Sequence, residues 1–151
     1  MNTHIVFKQG NIFESQLQTL VNTVNTAGVM GKGIAKEFKI RYPEMYLDYH
    51  RRCMEGLLKV GEPYIWLSLS KQQKWILNFP TKKHWKGKSK IEWIEQGLGH
   101  LLMNYKLWGI QSIAVPALGV GLGGLEWNNV MPLLENYLSR MDIPVEIYKP
   151  I

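Results

Sequence analysis

The sequence has 151 residues, 46% of them hydrophobic and 20% charged, with a net charge of +6 and a single cysteine, Cys53. That size and composition describe one globular domain with a real core and exclude a disordered chain. One cysteine excludes an intrachain disulfide and a cysteine-based zinc site, and fits a reducing, cytoplasmic setting. No apolar stretch approaches the roughly 20 residues that span a bilayer, and no secretory signal opens the chain, so no membrane partner is expected. The basic excess favours an anionic partner.

Taken in chain order, His4 to Lys8 alternates and reads as a strand, and Thr19 to Val24 as a β-branched second strand. Gly28 to Gly33 is a loop. A helix is expected from about Ile34 to Tyr42, stopped by Pro43, and another over Glu44 to Glu55 with Gly56 near its end. Tyr64 to Leu69 and Lys74 to Phe79 read as strands joined by a polar turn. Ser89-Lys90-Ile91-Glu92 has the pattern of a capping box, opening a helix that Gly109 ends. Ile91, Ile94, Leu98, Leu101, Leu102 and Tyr105 form its apolar stripe. Ile110 to Ala117 is a continuous apolar strand, Trp127 to about Met141 a helix, and Val145 to Tyr148 a last strand. Strands alternating with helices predict a three-layer α/β/α sandwich around a mixed, mostly parallel sheet, with ligands bound beyond the carboxyl ends of the strands.

Three segments could carry chemistry. Pro116 to Gly124 contains Gly119, Gly121, Gly123 and Gly124 between a buried strand and a helix. Glycines let backbone amides approach phosphate oxygens. The segment matches G-x-G-x-x-G, but only 27 residues follow Gly124 (151 − 124), too few for a Rossmann half. Gly28 to Gly33 is a second glycine loop, without the Ser/Thr of a P-loop. Either loop could instead be a plain turn. Just upstream, Asn22 and Asn25 end a buried strand, where an amide must be hydrogen-bonded. They suit sugar hydroxyls, or tie loops together. The third segment is Asn78-Phe79-Pro80-Thr81-Lys82-Lys83-His84-Trp85-Lys86. Lysines around an aromatic could follow a phosphate backbone and stack a base, or form a solvated surface. A lysine among other cations has a lowered pKa and can serve as base or nucleophile. The four histidines are scattered, and neither a metal site nor a Ser-His-Asp or Cys-His arrangement is readable.

Taken together, Gly10-Asn11-Ile12, Val21-Asn22-Thr23-Val24-Asn25, the Gly28–Gly33 loop and Pro116–Gly124 resemble the macrodomain family, in the family's order across the whole chain. Within it, Val-Asn-Thr-Val-Asn-Thr, Gly-Val-Met-Gly-Lys-Gly-Ile-Ala and Asn-Phe-Pro-Thr-Lys-x-His-Trp look like the DarG-type antitoxin branch. The resemblance implies a single macrodomain over residues 1–151 that binds ADP-ribose. Asn11 and Ile12 would lie by the adenosine. Gly28, Val29, Met30, Gly31, Gly33 and Ile34, with Pro116, Leu118, Gly119, Val120, Gly121, Leu122, Gly123 and Gly124, would hold the diphosphate. Asn25 would lie by the distal ribose. It further implies a DNA ADP-ribosyl glycohydrolase that frees modified bases of single-stranded DNA, with Lys82 and Asn22 catalytic and Lys83, His84, Trp85 and Lys86 on the DNA. No metal or other cofactor is implied. A cognate ADP-ribosyltransferase toxin is the implied partner, through a C-terminal toxin-binding domain outside these residues, and a monomer is expected. Asn11 stands where many macrodomains have Asp. The rival expectations are a hydrolase of ADP-ribosylated proteins or esters, a non-catalytic ADP-ribose reader, and a plain single-strand binding module.

Overall fold

The structure, a computed structural model, describes residues 4–70 and 74–151. Six strands form one sheet: β1 (Ile5–Lys8), β2 (Thr19–Asn25), β3 (Tyr64–Trp66), β4 (Trp75–Lys82), β5 (Ile113–Val115) and β6 (Val145–Tyr148). Four helices cover it: α1 (Gly33–Arg41), α2 (Pro43–Met54), α3 (Ile91–Trp108) and α4 (Trp127–Leu138). The strand order is β1-β6-β5-β2-β4-β3. Every pairing is parallel except β3 with β4. No helix among the described residues is long and apolar enough to cross a membrane.

The period-2 alternation of the strands divides the core in two. Val21, Leu77, Phe79, Ile113 and Ile147 face α3 and α4, where Ile94, Leu98, Leu134 and Leu138 meet them. Leu20, Val24, Ile76 and Ala114 face the other way, onto Phe38, Met45 and Tyr49 of α1 and α2. This is the expected α/β/α sandwich with a mixed, mostly parallel sheet.

Several boundaries differ from the sequence expectation, for physical reasons. β4 runs on through Pro80 to Lys82 instead of ending at Phe79. β3 stops opposite Asn78, so beyond that point one flank of β4 has no strand to bond, and a proline there breaks no ladder. β3 and β5 are shorter than expected, and the turn expected between β3 and β4 falls partly on residues 71–73, outside the described residues. The capping box does not form. Lys90 is the residue before the first turn of α3, and no side chain caps that end. The Ser89 hydroxyl is buried without a partner, while its amide donates to the Gly123 carbonyl at 2.9 Å. Ser89 therefore joins the basic loop to the glycine loop instead of capping a helix.

α3 lies close on β4 because Gly97 has no side chain. A Cβ there would sit 2.2 Å from Cζ and 2.6 Å from Cε1 of the fully buried Phe79. Gly99, on the same helix, would place a Cβ in ordinary contact, 3.8 Å from Tyr137. Gly97→Ala is expected to lower stability by about 1–3 kcal/mol through overpacking. Gly99→Ala is expected to raise it by up to about 1 kcal/mol through helix propensity. Denaturant midpoints of the two variants check both signs.

Candidate functional site

A cleft of about 1250 Å³ opens at the carboxyl ends of the parallel strands. Gly10 and Asn11 follow β1, and Thr23 to Asn25 end β2. Thr81 and Lys82 end β4, Pro116 and Ala117 follow β5, and Tyr148 and Lys149 close β6. The antiparallel β3 contributes nothing. The volume exceeds the roughly 300–1,000 Å³ of an ordinary small-molecule site, and the chain supplies mostly backbone and apolar surface around it.

The two glycine loops face each other across this cleft. A Cβ on Gly33 would lie 3.5 Å from Leu122, so there the two loops approach to within the reach of one added methyl group. Gly119 and Gly121 both have φ of +77°, in the left-handed region that favours glycine. At Gly121 a Cβ would meet nothing within 4 Å, which leaves open space over that backbone. The first turn of α1, with Gly33 and Ile34, opens onto the same space, and its amides and dipole favour an anion.

The electrostatics point the same way. Lys32, Lys82, Lys86 and Lys149 line the cleft, and no Asp or Glu does so among the described residues. Lys82 sits on the last residue of β4. Its Nζ reaches the Trp85 carbonyl at 3.4 Å, a long and weak hydrogen bond. Partial burial, and then the Lys88 and Lys32 ammonium groups, hold its pKa below the usual lysine range. The like-charge repulsion comes from these two lysines, not from Lys83 and Lys86, as sequence proximity suggests.

Of the residues singled out in the sequence, the cleft brings together Asn11, Ile12, Asn25, Val29, Gly31, Gly33 and Ile34 on one side. Pro116, Gly119, Val120, Gly121, Leu122 and Gly123 stand opposite, with Lys82, Trp85 and Lys86 at the basic wall. Asn25 is also the organiser of its loop. Its Oδ1 accepts from Ala27 N (3.0 Å), Val29 N (3.3 Å) and Tyr49 OH (2.9 Å), and its Nδ2 donates to Val29 O (2.8 Å). Asn11 Oδ1 accepts from Phe13 N at 2.9 Å.

Seven others do not line the cleft. Asn22 is fully buried: alternation along β2 puts it beside Leu20 and Val24, under α1 and α2. Its Nδ2 donates to Asn78 Oδ1 at 3.1 Å, and its own Oδ1 has no partner. Met30 is buried next to it, with Sδ 3.9 Å from Asn22 Nδ2. Gly28 has φ of +90°, and a Cβ there would press on Met54 and His50 of α2, so helix packing makes its demand. Leu118 is core beneath α3 and α4. Gly124 lies under the Lys88 side chain. Lys83 and His84 point away: Lys83 reaches Trp93, and His84 stacks on Trp85 with ring centroids 5.0 Å apart.

Sequence reasoning passed over Phe13, Thr23, Lys32, Thr81, Tyr148 and Lys149. Lys32 had a visible signal, a cation inside a glycine loop. Tyr148 and Lys149 had none, because they are brought in by the β1–β6 pairing. Among the described residues no group of acids, histidines and cysteines could hold a metal ion.

Known proteins share this geometry. The Macro domain family model matches residues 21–134. A DNA ADP-ribosyl transferase–DNA ADP-ribosyl glycohydrolase fusion protein of Thermosipho africanus is 45% identical over 95% of this chain and 41% of its own length. The structure of Thermosipho africanus DarTG in complex with ADP-ribose superposes with a TM-score of 0.95, covering 99% of this chain and 42% of that one. The macrodomain of Mycobacterium tuberculosis DarG superposes with a TM-score of 0.94 at 42% identity, covering 97% of this chain and 98% of that one. The chain spans only 41–42% of the length of the first curated relatives it matches. Family model, sequence and superposition agree, and the chain belongs to the macrodomain family.

Proposed function

We propose that the chain binds ADP-ribose in the cleft and removes it from modified bases of single-stranded DNA, opposing a DNA ADP-ribosyltransferase toxin. The observation that carries this reading is the position of Lys82: a lysine of lowered pKa at a strand end, facing two opposed glycine loops in a cleft lined, among the described residues, by no Asp or Glu. Relatives described as DNA ADP-ribosyl glycohydrolases, and one in which transferase and glycohydrolase are fused, support it.

In this reading the glycine-loop backbone and the first turn of α1 hold the diphosphate, and Lys32 adds charge beside it. With the diphosphate fixed, the distal ribose is held against the end of β4. Hydrolysis breaks the bond between the anomeric carbon and the base nitrogen. Water supplies the oxygen that replaces the base, and the departing nitrogen takes up a proton. Lys82 acts at this centre. Its lowered pKa raises the neutral-amine fraction at a given pH, the form a nucleophile or base requires.

Three outcomes test this. Lys82→Ala should lower turnover of ADP-ribosylated single-stranded DNA by about a hundredfold or more, with ADP-ribose affinity by calorimetry unchanged, since a transition-state contact leaves ground-state binding intact. Wild-type turnover by this variant would move catalysis elsewhere, and joint loss of binding would make Lys82 a binding residue. Gly121→Glu should abolish the roughly −8 kcal/mol expected of micromolar ADP-ribose binding, by setting a strained residue and an anion where phosphate lies. The pH–rate profile should rise through a limb below the ordinary lysine pKa. Lys88→Gln removes one repelling cation, so it should move that limb to higher pH. A limb that falls with pH would instead assign Lys82 as the proton donor.

A further inference from the structure

A second aromatic platform stands beyond the cleft, on the first turn of α3. Trp93 is half-buried, and two ammonium groups lie against its ring, Lys83 Nζ at 5.6 Å and Lys90 Nζ at 5.3 Å from the centroid. Trp85 has a single such neighbour, Lys86 Nζ at 4.7 Å from its ring centroid, and its ring stacks on His84. Among the described residues, none of these three lysines enters an ion pair. Glu92, the acidic residue in the first turn of α3, is exposed and enters none of those ion pairs either.

We propose that Trp93, flanked by Lys83 and Lys90, is a second base-stacking site for single-stranded DNA, holding a nucleotide that flanks the modified one. The proposal rests on the DNA reading above and extends it past the cleft. Lys82 and Lys83 are consecutive, yet Lys82 lines the cleft while Lys83 reaches Trp93. The end of β4 thus delivers one cation to the reaction centre and the next to the Trp93 platform. A strand leaving the cleft past Lys82 and Lys83 would meet Trp93 as a surface offering both an aromatic face and positive charge.

The chemistry selects the partner. An ammonium rests on an indole face when no anion is available, and this contact is weak at an exposed site. A phosphate recruits the ammonium from the ring and leaves the indole face to a base. Indoles bracketed by lysines therefore suit alternating bases and phosphates, the pattern of single-strand binding surfaces. A duplex keeps its base faces stacked internally and offers nothing to the indoles. An acidic peptide would use the lysines but leave the Trp93 indole face without a partner.

The test uses binding of unmodified oligonucleotides, read by fluorescence anisotropy, alongside turnover. Trp93→Ala should weaken binding of a twelve-nucleotide single strand by about tenfold, with Trp93→Phe restoring most of it. Turnover of an ADP-ribosylated mononucleotide should stay at the wild-type rate. Lys83→Gln with Lys90→Gln should lower the slope of log Kd against log salt by about 1.4, about 0.7 for each phosphate no longer neutralised. Unchanged oligonucleotide affinity in Trp93→Ala, or equally tight binding of polyglutamate by the wild type, would overturn the platform. Failure of the wild type to release ADP-ribose from either substrate would sink the glycohydrolase reading instead. The oligonucleotide arm would still decide the platform.

Discussion

The site depends on the pairing of β2 with β4. Their parallel register runs without a break from Thr19 opposite Trp75 to Val24 opposite Pro80, then shifts so that Asn25 faces Lys82. A bulge of this kind re-aims the side chains beyond it. Here the shift brings the residue that shapes one glycine loop opposite the cation of the basic wall. The ladder is buried on both faces, so its end cannot wander. Lys82 belongs to this ladder: Thr26 N donates to its carbonyl at 3.0 Å, and Thr26 Oγ1 donates to the Lys83 carbonyl at 3.1 Å. The Lys82 amine sits on a strand that two layers of core hold in place.

Placing Lys82, Lys32, Lys88 and their neighbours together without acids has an energetic consequence. Partial burial raises the cost of keeping Lys82 protonated, and repulsion from Lys88 and Lys32 adds to it. The chain could have relieved this with one carboxylate, yet among the described residues the ion pairs all lie elsewhere, on α1, α2, the α3 end and beside β1. A dianionic ligand would supply the missing countercharge. Its binding would relax the repulsion and raise the Lys82 pKa, so ligand charge and lysine protonation are linked.

How much of this was legible follows from which physical signal each residue carried. The α3 stripe was legible because helical period is a local property: Ile94, Leu98, Leu101 and Tyr105 are all buried. The glycine loops were legible as loops, since their composition allows little else. The role of each glycine was not. Gly28 and Gly121 both have positive φ, but one would push its Cβ into α2 and the other into open space, and only the packing separates them. Asn22 and Asn25 look alike in the sequence and differ by the face they take, because the pleat and the bulge act between them. Ser89 carried a correct local pattern that tertiary structure overrode, its backbone being bonded to Gly123. Lys88 became important only when the chain folded it over Gly124.

The first glycine loop of this open cleft is held from behind by hydrogen bonds. Asn25 holds Ala27 and Val29, the Tyr49 hydroxyl donates to the Asn25 carbonyl at 2.7 Å, and His50 Nδ1 lies 3.1 Å from the Gly28 carbonyl. These bonds fix a segment of small residues that would otherwise sample many conformations. The ordering cost is met when the protein folds, against the core formed by α2, and not again when ligand arrives. A loop ordered in this way presents its amides at fixed positions, the arrangement that the proposed recognition of a diphosphate by backbone alone would require. The charged side chains can then remain mobile around it, supplying attraction without having to supply shape.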